Sequence, residues 1–276
     1  MSARQPVLFV SHGAPDLVLD PGVTGRLWSD IGRRLPIPEA ILVISAHWES
    51  AQLSVSAAAH PETMHDFGGF PRSMYAIQYP APGAVNLAGR IAALLEVGGL
   101  ATRIDHLRGL DHGAWVPLKF IYPAADIPVS QLSIHPRAGP AWHRNLGALL
   151  RPLRDEGVLI LATGAVTHNF GWLSAPGSPA YPDAVDFSNW LERALAAGAE
   201  ADLLAYRTRS RFGAEAHPTE EHLMPLFVAW GAADDGDRIL RLNQEFTYGG
   251  LAMDAYLWQP ADQPMLTQKE LLHGAV

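Results

Sequence analysis

The chain has 276 residues, a formal charge of −8, 48% hydrophobic and 17% charged residues, and no cysteine. This balance suits a globular protein with a large core, and it excludes long disorder, disulfides, thiolate metal sites and cysteine nucleophiles. No Lys/Arg stripe marks a nucleic-acid binder, and the first apolar run, 7–10, is too short for a signal-peptide core or a membrane span. The expectation is a cytoplasmic single domain over 1–276, a monomer or small homo-oligomer, with small-molecule partners and neither nucleic acid nor membrane.

In chain order, "VLFV" from Val7 reads as a buried strand that ends in Ser11, His12 and Gly13. "AILVISA" from Ala40 reads as a second, with His47 after it in "SAHWES", and "LSVSA" from Leu53 as a third. Residues 58–83, rich in Pro, Gly and aromatics, form a long loop, either a binding loop or a surface insertion; Phe67, Phe70, Tyr75 and Tyr79 favour the first. Leu87, Ile91, Leu94 and Leu95 place a helix over 84–97, and "GLDHGAWVPL" then brings His112. "VSQLSI" from Val129 is a strand, a helical run follows from Ala141 to the terminal Gly157, and "VLILATG" from Val158 is a strand with His168 beyond it. A second long loop covers 174–182. In "HPTEEHLMPLFVAWGAA", which holds His217 and His222, Pro225 fits only a helix's first turn, so a helix starts near His222. "EFTYGGLAMDAYLWQP" from Glu245 reads as a hairpin turning at Gly249 and Gly250. The alternation predicts an α/β single domain with a largely parallel central sheet flanked by helices and a C-terminal β-hairpin.

Of the twelve histidines, His12, His47 and His168 each follow a predicted strand. Ligands of open α/β sheets bind outside the carboxyl ends of the strands, so these three are expected to converge on one crevice. His112 and His222 sit at the mouths of other elements, and His217 reads as a loop residue within reach of substrate. His60, His65, His106, His135, His143 and His273 have no such placement and read mostly as surface residues. Several imidazoles without cysteine suit a bound metal with positions left for water, substrate or O2. The chain lacks H-E-x-x-H, G-x-S-x-G, G-x-G-x-x-G and G-x-x-x-x-G-K-[ST], which disfavours zinc-peptidase, α/β-hydrolase and nucleotide chemistry.

Taken in order, "SHGAP", "SAHWES", "HDFGGFPRSMYAIQYPAPG", "GLDHGAWVPL", "THNF" and "HPTEEHLMPLFVAWGAA" resemble the class III extradiol ring-cleaving dioxygenases, in the DOPA 4,5-dioxygenase-like branch related to the protocatechuate 4,5-dioxygenase catalytic subunit. The resemblance implies one divalent metal ion, Fe(II) for dioxygenase activity or Zn(II) as is common in this branch, with His12, His47 and His222 as ligands. His222 stands where the protocatechuate enzymes carry a carboxylate; neighbouring Glu221 is expected to point away from it. The resemblance makes His168 the acid–base for the second catechol proton, or else a fourth ligand of a zinc form, and gives His112 a hydrogen bond to O2 or the catechol oxygen. Asp66, Phe67, Tyr75 and His217 are assigned to substrate binding. Glu49, Asp16 and Asp111 either accept the second N–H of a ligand histidine or are ordinary capping carboxylates. Trp48 and Trp115 read as packing residues. The expected function is cleavage of a small catechol, DOPA-like or related, with O2. The alternatives are a zinc-dependent hydrolase and a non-catalytic relative that binds metal or an aromatic ligand.

Overall fold

In the computed structural model, which describes residues 3–264 and 266, the apolar runs become strands β1 (Val7–Ser11), β2 (Ala40–Glu49), β3 (Ser54–Ser56), β5 (Val129–Ile134) and β6 (Val158–Gly164), and two further strands are β4 (Arg103–Asp105) and β7 (Arg238–Arg241). A small ribbon of β8 (Phe246–Thr247) and β9 (Leu251–Ala252) turns through Tyr248 to Gly250, and β10 (Ala255–Gln259) returns to the main sheet. Eight strands join in the order β4-β3-β5-β2-β6-β1-β10-β7. β5, β2, β6 and β1 are mutually parallel, while β10 runs antiparallel to β1 and to β7.

The parallel strands are buried on both faces, as the unbroken apolar runs require. Val7, Phe9, Leu42, Ile44, Ile160 and Ala162 face one core, which is covered by α2 (Val85–Val97), α4 (Pro140–Leu150), α5 (Pro182–Ala196) and α9 (Met224–Ala232). Leu8, Val10, Ile41, Val43, Leu159 and Leu161 face the other, under α1 (Gly22–Arg34) and α3 (His112–Ile121). Three short helices, α6 (Glu200–Leu204), α7 (Tyr206–Arg209) and α8 (Gly213–Ala216), lead the chain back towards α9. β4 and β7 escaped the sequence reading because they are short, lie at the sheet edges and carry polar residues. Among the described residues no helix is long and apolar enough to cross a membrane.

Two expectations need correction. His47 lies inside β2 rather than beyond it, within the stretch between Ile44 and Glu49 where the register against β5 shifts; such an irregularity re-aims side chains at a strand's end. His143 is no surface residue: it is fully buried on the inner face of α4, three residues before Leu146. Its Nδ1–H donates to the Gly139 carbonyl at 3.0 Å and its Nε2 accepts from the His135 N–H at 3.3 Å, so burial leaves the ring satisfied when neutral. His273 lies outside the described residues.

Candidate functional site

Because β2, β6 and β1 are adjacent and parallel, their carboxyl ends open onto one edge of the sheet, and the histidines they carry meet there. His12 follows β1 directly, with its backbone N–H donating to the Gly164 carbonyl of β6 at 2.9 Å. Gly13 turns the chain away at φ +65°, where a Cβ would also fall 2.6 Å from Met253 Cε. His47, from β2, brings its Nε2 within 3.0 Å of His12 Nε2. His222 arrives from the turn ahead of α9, whose Pro225 sits in the first turn. The His222 carbonyl accepts the Ala165 N–H at 2.8 Å and lies so close to β6 that a Cβ on Gly164 would be 2.1 Å from it. The potential ligand atoms of His12, His47 and His222 all lie within 4.8 Å of one another.

A proline sets the orientation of His12. Pro117, inside α3, has no N–H for the Gly113 carbonyl one turn earlier, and the Thr163 hydroxyl donates to that carbonyl instead, at 2.7 Å. A hydroxyl has one hydrogen, so Thr163 Oγ1 faces His12 Nδ1, 2.9 Å away, as an acceptor. His12 Nδ1 is therefore protonated and its Nε2 lone pair points at His47 and His222. His222 reaches the same state through Glu221, whose Oε1 accepts from Nδ1 at 2.8 Å. The expectation that Glu221 points away fails because residues 221–223 form a turn rather than helix, and α9 starts only at Met224.

Two carboxylates each serve a pair of histidines. Asp66 Oδ1 accepts both the backbone N–H of His112 at 2.9 Å and its Nδ1–H at 3.0 Å, while Oδ2 stands 3.9 Å from His47 Nδ1. Glu221, besides holding His222, lies 3.9 Å from His168 Nδ1. The rings of His168 and His222 stack with centroids 3.4 Å apart. Of the carboxylates singled out in the sequence, Asp111 instead caps α3 through the Ala114 N–H and binds Ser45 and Arg108, and Asp16 accepts from the Tyr248 hydroxyl.

Burial, and then the neighbouring imidazoles, hold His12 and His222 well below the ordinary histidine value. His47 is lowered to about 4, first by burial and then by His112. His168 is also lowered by burial, with Glu221 opposing the shift. Burial alone would raise the Asp66 carboxyl, but its hydrogen bonds to His112 outweigh this and keep it at about 2. His12, His47, His168 and His222 are thus neutral rings with ionised Asp66 at their flank, the protonation state that metal ligation requires.

These rings floor a cavity of about 430 Å³ whose walls are largely apolar, with Phe67, Phe70, Phe170, Leu173, Tyr248 and Leu251 around the histidines. Of the residues assigned to substrate, Phe67 lines the cavity, and Asp66 sits behind His112. Tyr75 packs on Phe67 and His65 away from the lining. His217 is fully buried behind the wall, donating from Nε2 to the Val166 carbonyl at 2.8 Å, and burial lowers it to about 3. Trp48 and Trp115 are buried packing residues. Thr163, Phe170 and Tyr248 were missed; a proline four residues after Gly113 within one helix was the available signal for Thr163, since it frees a carbonyl that needs a donor.

The donor set fits a divalent metal. His222 Nε2 is buried with no hydrogen-bond partner, although a buried polar atom without one is costly. His12 Nε2 presents a lone pair to His47 Nε2 at 3.0 Å, a spacing suited to two imidazoles bound to one ion.

The family described as the catalytic LigB subunit of aromatic ring-opening dioxygenase matches residues 26–252. A 4,5-DOPA dioxygenase extradiol from Beta vulgaris is 40% identical over 252 residues, covering 90% of this chain and 94% of that protein. A protein of the same description from Escherichia coli K12 is 39% identical over 256 residues, covering 91% and 94%. The crystal structure of an uncharacterized E. coli K12 protein superposes with a TM-score of 0.79 at 33% identity, covering 92% of this chain and 100% of that one. The histidine-floored cavity and these relatives agree: the chain belongs to the LigB family of aromatic ring-opening dioxygenases, as an extradiol ring-cleaving oxidoreductase of its DOPA-dioxygenase-like branch.

Proposed function

We propose that the protein cleaves the ring of a small catechol beside its diol, using O2 and an Fe(II) ion held by His12, His47 and His222. The observation that carries this reading is the convergence of three neutral imidazoles, two buried and one half-buried, on one point of an apolar cavity, one of them with an orphaned Nε2. Bound Fe(II) would hold the catechol oxygens and O2 together and pass electron density from one to the other.

The chain's own residues supply the rest. Phe67, Phe70 and Phe170 exclude water and pack the aromatic ring. His168, neutral because burial lowers it, accepts the second catechol proton, and Glu221 beside its Nδ1 stabilises the imidazolium so formed. His112 is held by Asp66 at its backbone N–H and Nδ1, which leaves its Nε2 to exchange a hydrogen bond with O2 or the catechol oxygen. His168 groups with Glu221 and His222 rather than with the His12–His47–His222 triad, which supports an acid–base over a fourth-ligand role.

Anaerobic loading with Fe(II), followed by catechol, DOPA or protocatechuate in air, is expected to give O2 uptake and a coloured ring-fission product. No O2 consumption with any catechol at full iron occupancy overturns the reading. His168→Ala is expected to keep the iron and lose turnover by at least ~100-fold, within the range of general acid–base catalysis.

A further inference from the structure

We infer that His217 is a positioning residue for the proton step: its Nε2–H holds the Val166 carbonyl and so fixes His168 against the cavity. The inference rests on the dioxygenase reading above and on the acid–base role that reading gives His168.

His168 needs outside support because the chain gives it none locally. β6 ends at Gly164, and residues 165–169 are neither strand nor helix before the short helical turn Phe170–Trp172. A reacting group on irregular backbone is only as precise as the contacts that hold it, and a misplacement of about 1 Å can cost ~10²-fold in rate. Four of those contacts come from one other stretch, 215–222. The Ala165 N–H donates to the His222 carbonyl at 2.8 Å and the His168 N–H to the Ala216 carbonyl at 2.9 Å. Asn169 Nδ2 donates to the Glu215 carbonyl at 2.7 Å, and His217 Nε2 to the Val166 carbonyl at 2.8 Å. As one stretch ascends the other descends, so the two are laced together antiparallel. One stretch carries His168 and the other His222, and the lacing sets how their two rings stack.

Within this lacing His217 supplies a side chain where its neighbours supply backbone. Its ring is fully buried, with the edges of Phe187 and Tyr206 at centroid distances of 5.7 and 6.0 Å, and the Arg207 guanidinium donates to its carbonyl. Because Nε2 faces a carbonyl it carries the ring's hydrogen, and Nδ1 is then a buried lone pair with no hydrogen-bond partner, a costly state. An apolar side chain would fill the same space without that cost. What the imidazole adds is the N–H at Val166, whose peptide stands two residues ahead of His168 and rotates more freely without it.

Two variants remove the donor, His217→Leu and His217→Met, and one, His217→Gln, keeps an N–H at similar reach; each is made in the native chain and in His168→Ala. O2 uptake with catechol is measured on the Fe(II)-loaded proteins. In the native background the donor-less variants are expected to keep their iron, to move KM less than twofold and to lose kcat by at least ~10-fold, with His217→Gln restoring most of it. In the His168→Ala background the same changes should move kcat less than twofold, since a residue that acts through His168 has nothing left to position. Equal losses in both backgrounds overturn the inference, as do an unchanged kcat, a glutamine variant no better than leucine, or iron lost in step with turnover. Hydrogen exchange of the 165–169 amides, followed by mass spectrometry on the same anaerobic proteins, reads the lacing without turnover. Exchange should be at least fivefold faster in the donor-less variants and near native in His217→Gln; unchanged exchange also overturns the inference. If the native protein consumes O2 with no catechol but this exchange pattern holds, His217 stands as the positioning residue of His168 and the dioxygenase reading falls.

Discussion

Thr163 has one hydroxyl hydrogen, and where that hydrogen goes decides which nitrogen of His12 faces the cavity. Thr163→Val keeps the shape of this fully buried side chain but leaves the Gly113 carbonyl and His12 Nδ1–H without their partner. Outer partners of metal ligands are worth about 10–100-fold in affinity. Thr163→Val is therefore expected to weaken metal binding by about that factor in a chelator competition, and Thr163→Ser to restore it. His12, His47 and His168 were readable in the chain because they follow apolar runs, whereas Thr163 reads as one more β-branched strand residue in "VLILATG". Its role depends on a carbonyl from a helix 50 positions away in the chain.

Among the elements, α3 and the end of β6 act as the frame of the site. Pro117→Ala supplies the missing N–H to the Gly113 carbonyl and removes a helix-interior proline, a change worth up to about 3 kcal/mol of helix stability. It also releases the Thr163 hydroxyl to donate to His12 Nδ1. The expected result is a higher urea midpoint together with weaker metal binding, and an unchanged metal affinity would argue against the relay. At the end of β6, Gly164→Ala places a Cβ 2.1 Å from the His222 carbonyl, a backbone atom that cannot swing aside. It is expected to cost about 1–3 kcal/mol in urea unfolding, as overpacking does, and to lower metal content. Strand and helix existence was plain from apolar periodicity, but element ends were not. His47 falls inside β2 and Glu221 in a turn, since both boundaries are decided by contacts with other segments.

Over the whole molecule, buried neutral histidines couple stability to pH. His143 is lowered by burial to about 4, below its unfolded value, so the unfolded chain binds the extra proton first as pH falls. Its contribution is complete above about pH 6.5 and is lost progressively as the pH falls from there towards 4, which amounts to about 2 kcal/mol between pH 7 and pH 5. His143→Gln is expected to lower stability at pH 7 and to flatten this acid limb, as measured by urea unfolding at the two pH values. The sequence alone determined the α/β class, the largely parallel sheet, the ribbon near Gly249 and the histidines that line the cavity. Those follow from local properties: apolar runs, helical spacing, turn residues and a side-chain chemistry rare at strand ends. Only the tertiary structure decided that β6 lies between β1 and β2, that Asp66 from a long loop reaches His112, and that Pro117 governs the tautomer of His12. Each of these is a pairing between distant segments, set by which faces bury together and which polar groups must then find partners, and no local pattern in the chain encodes it.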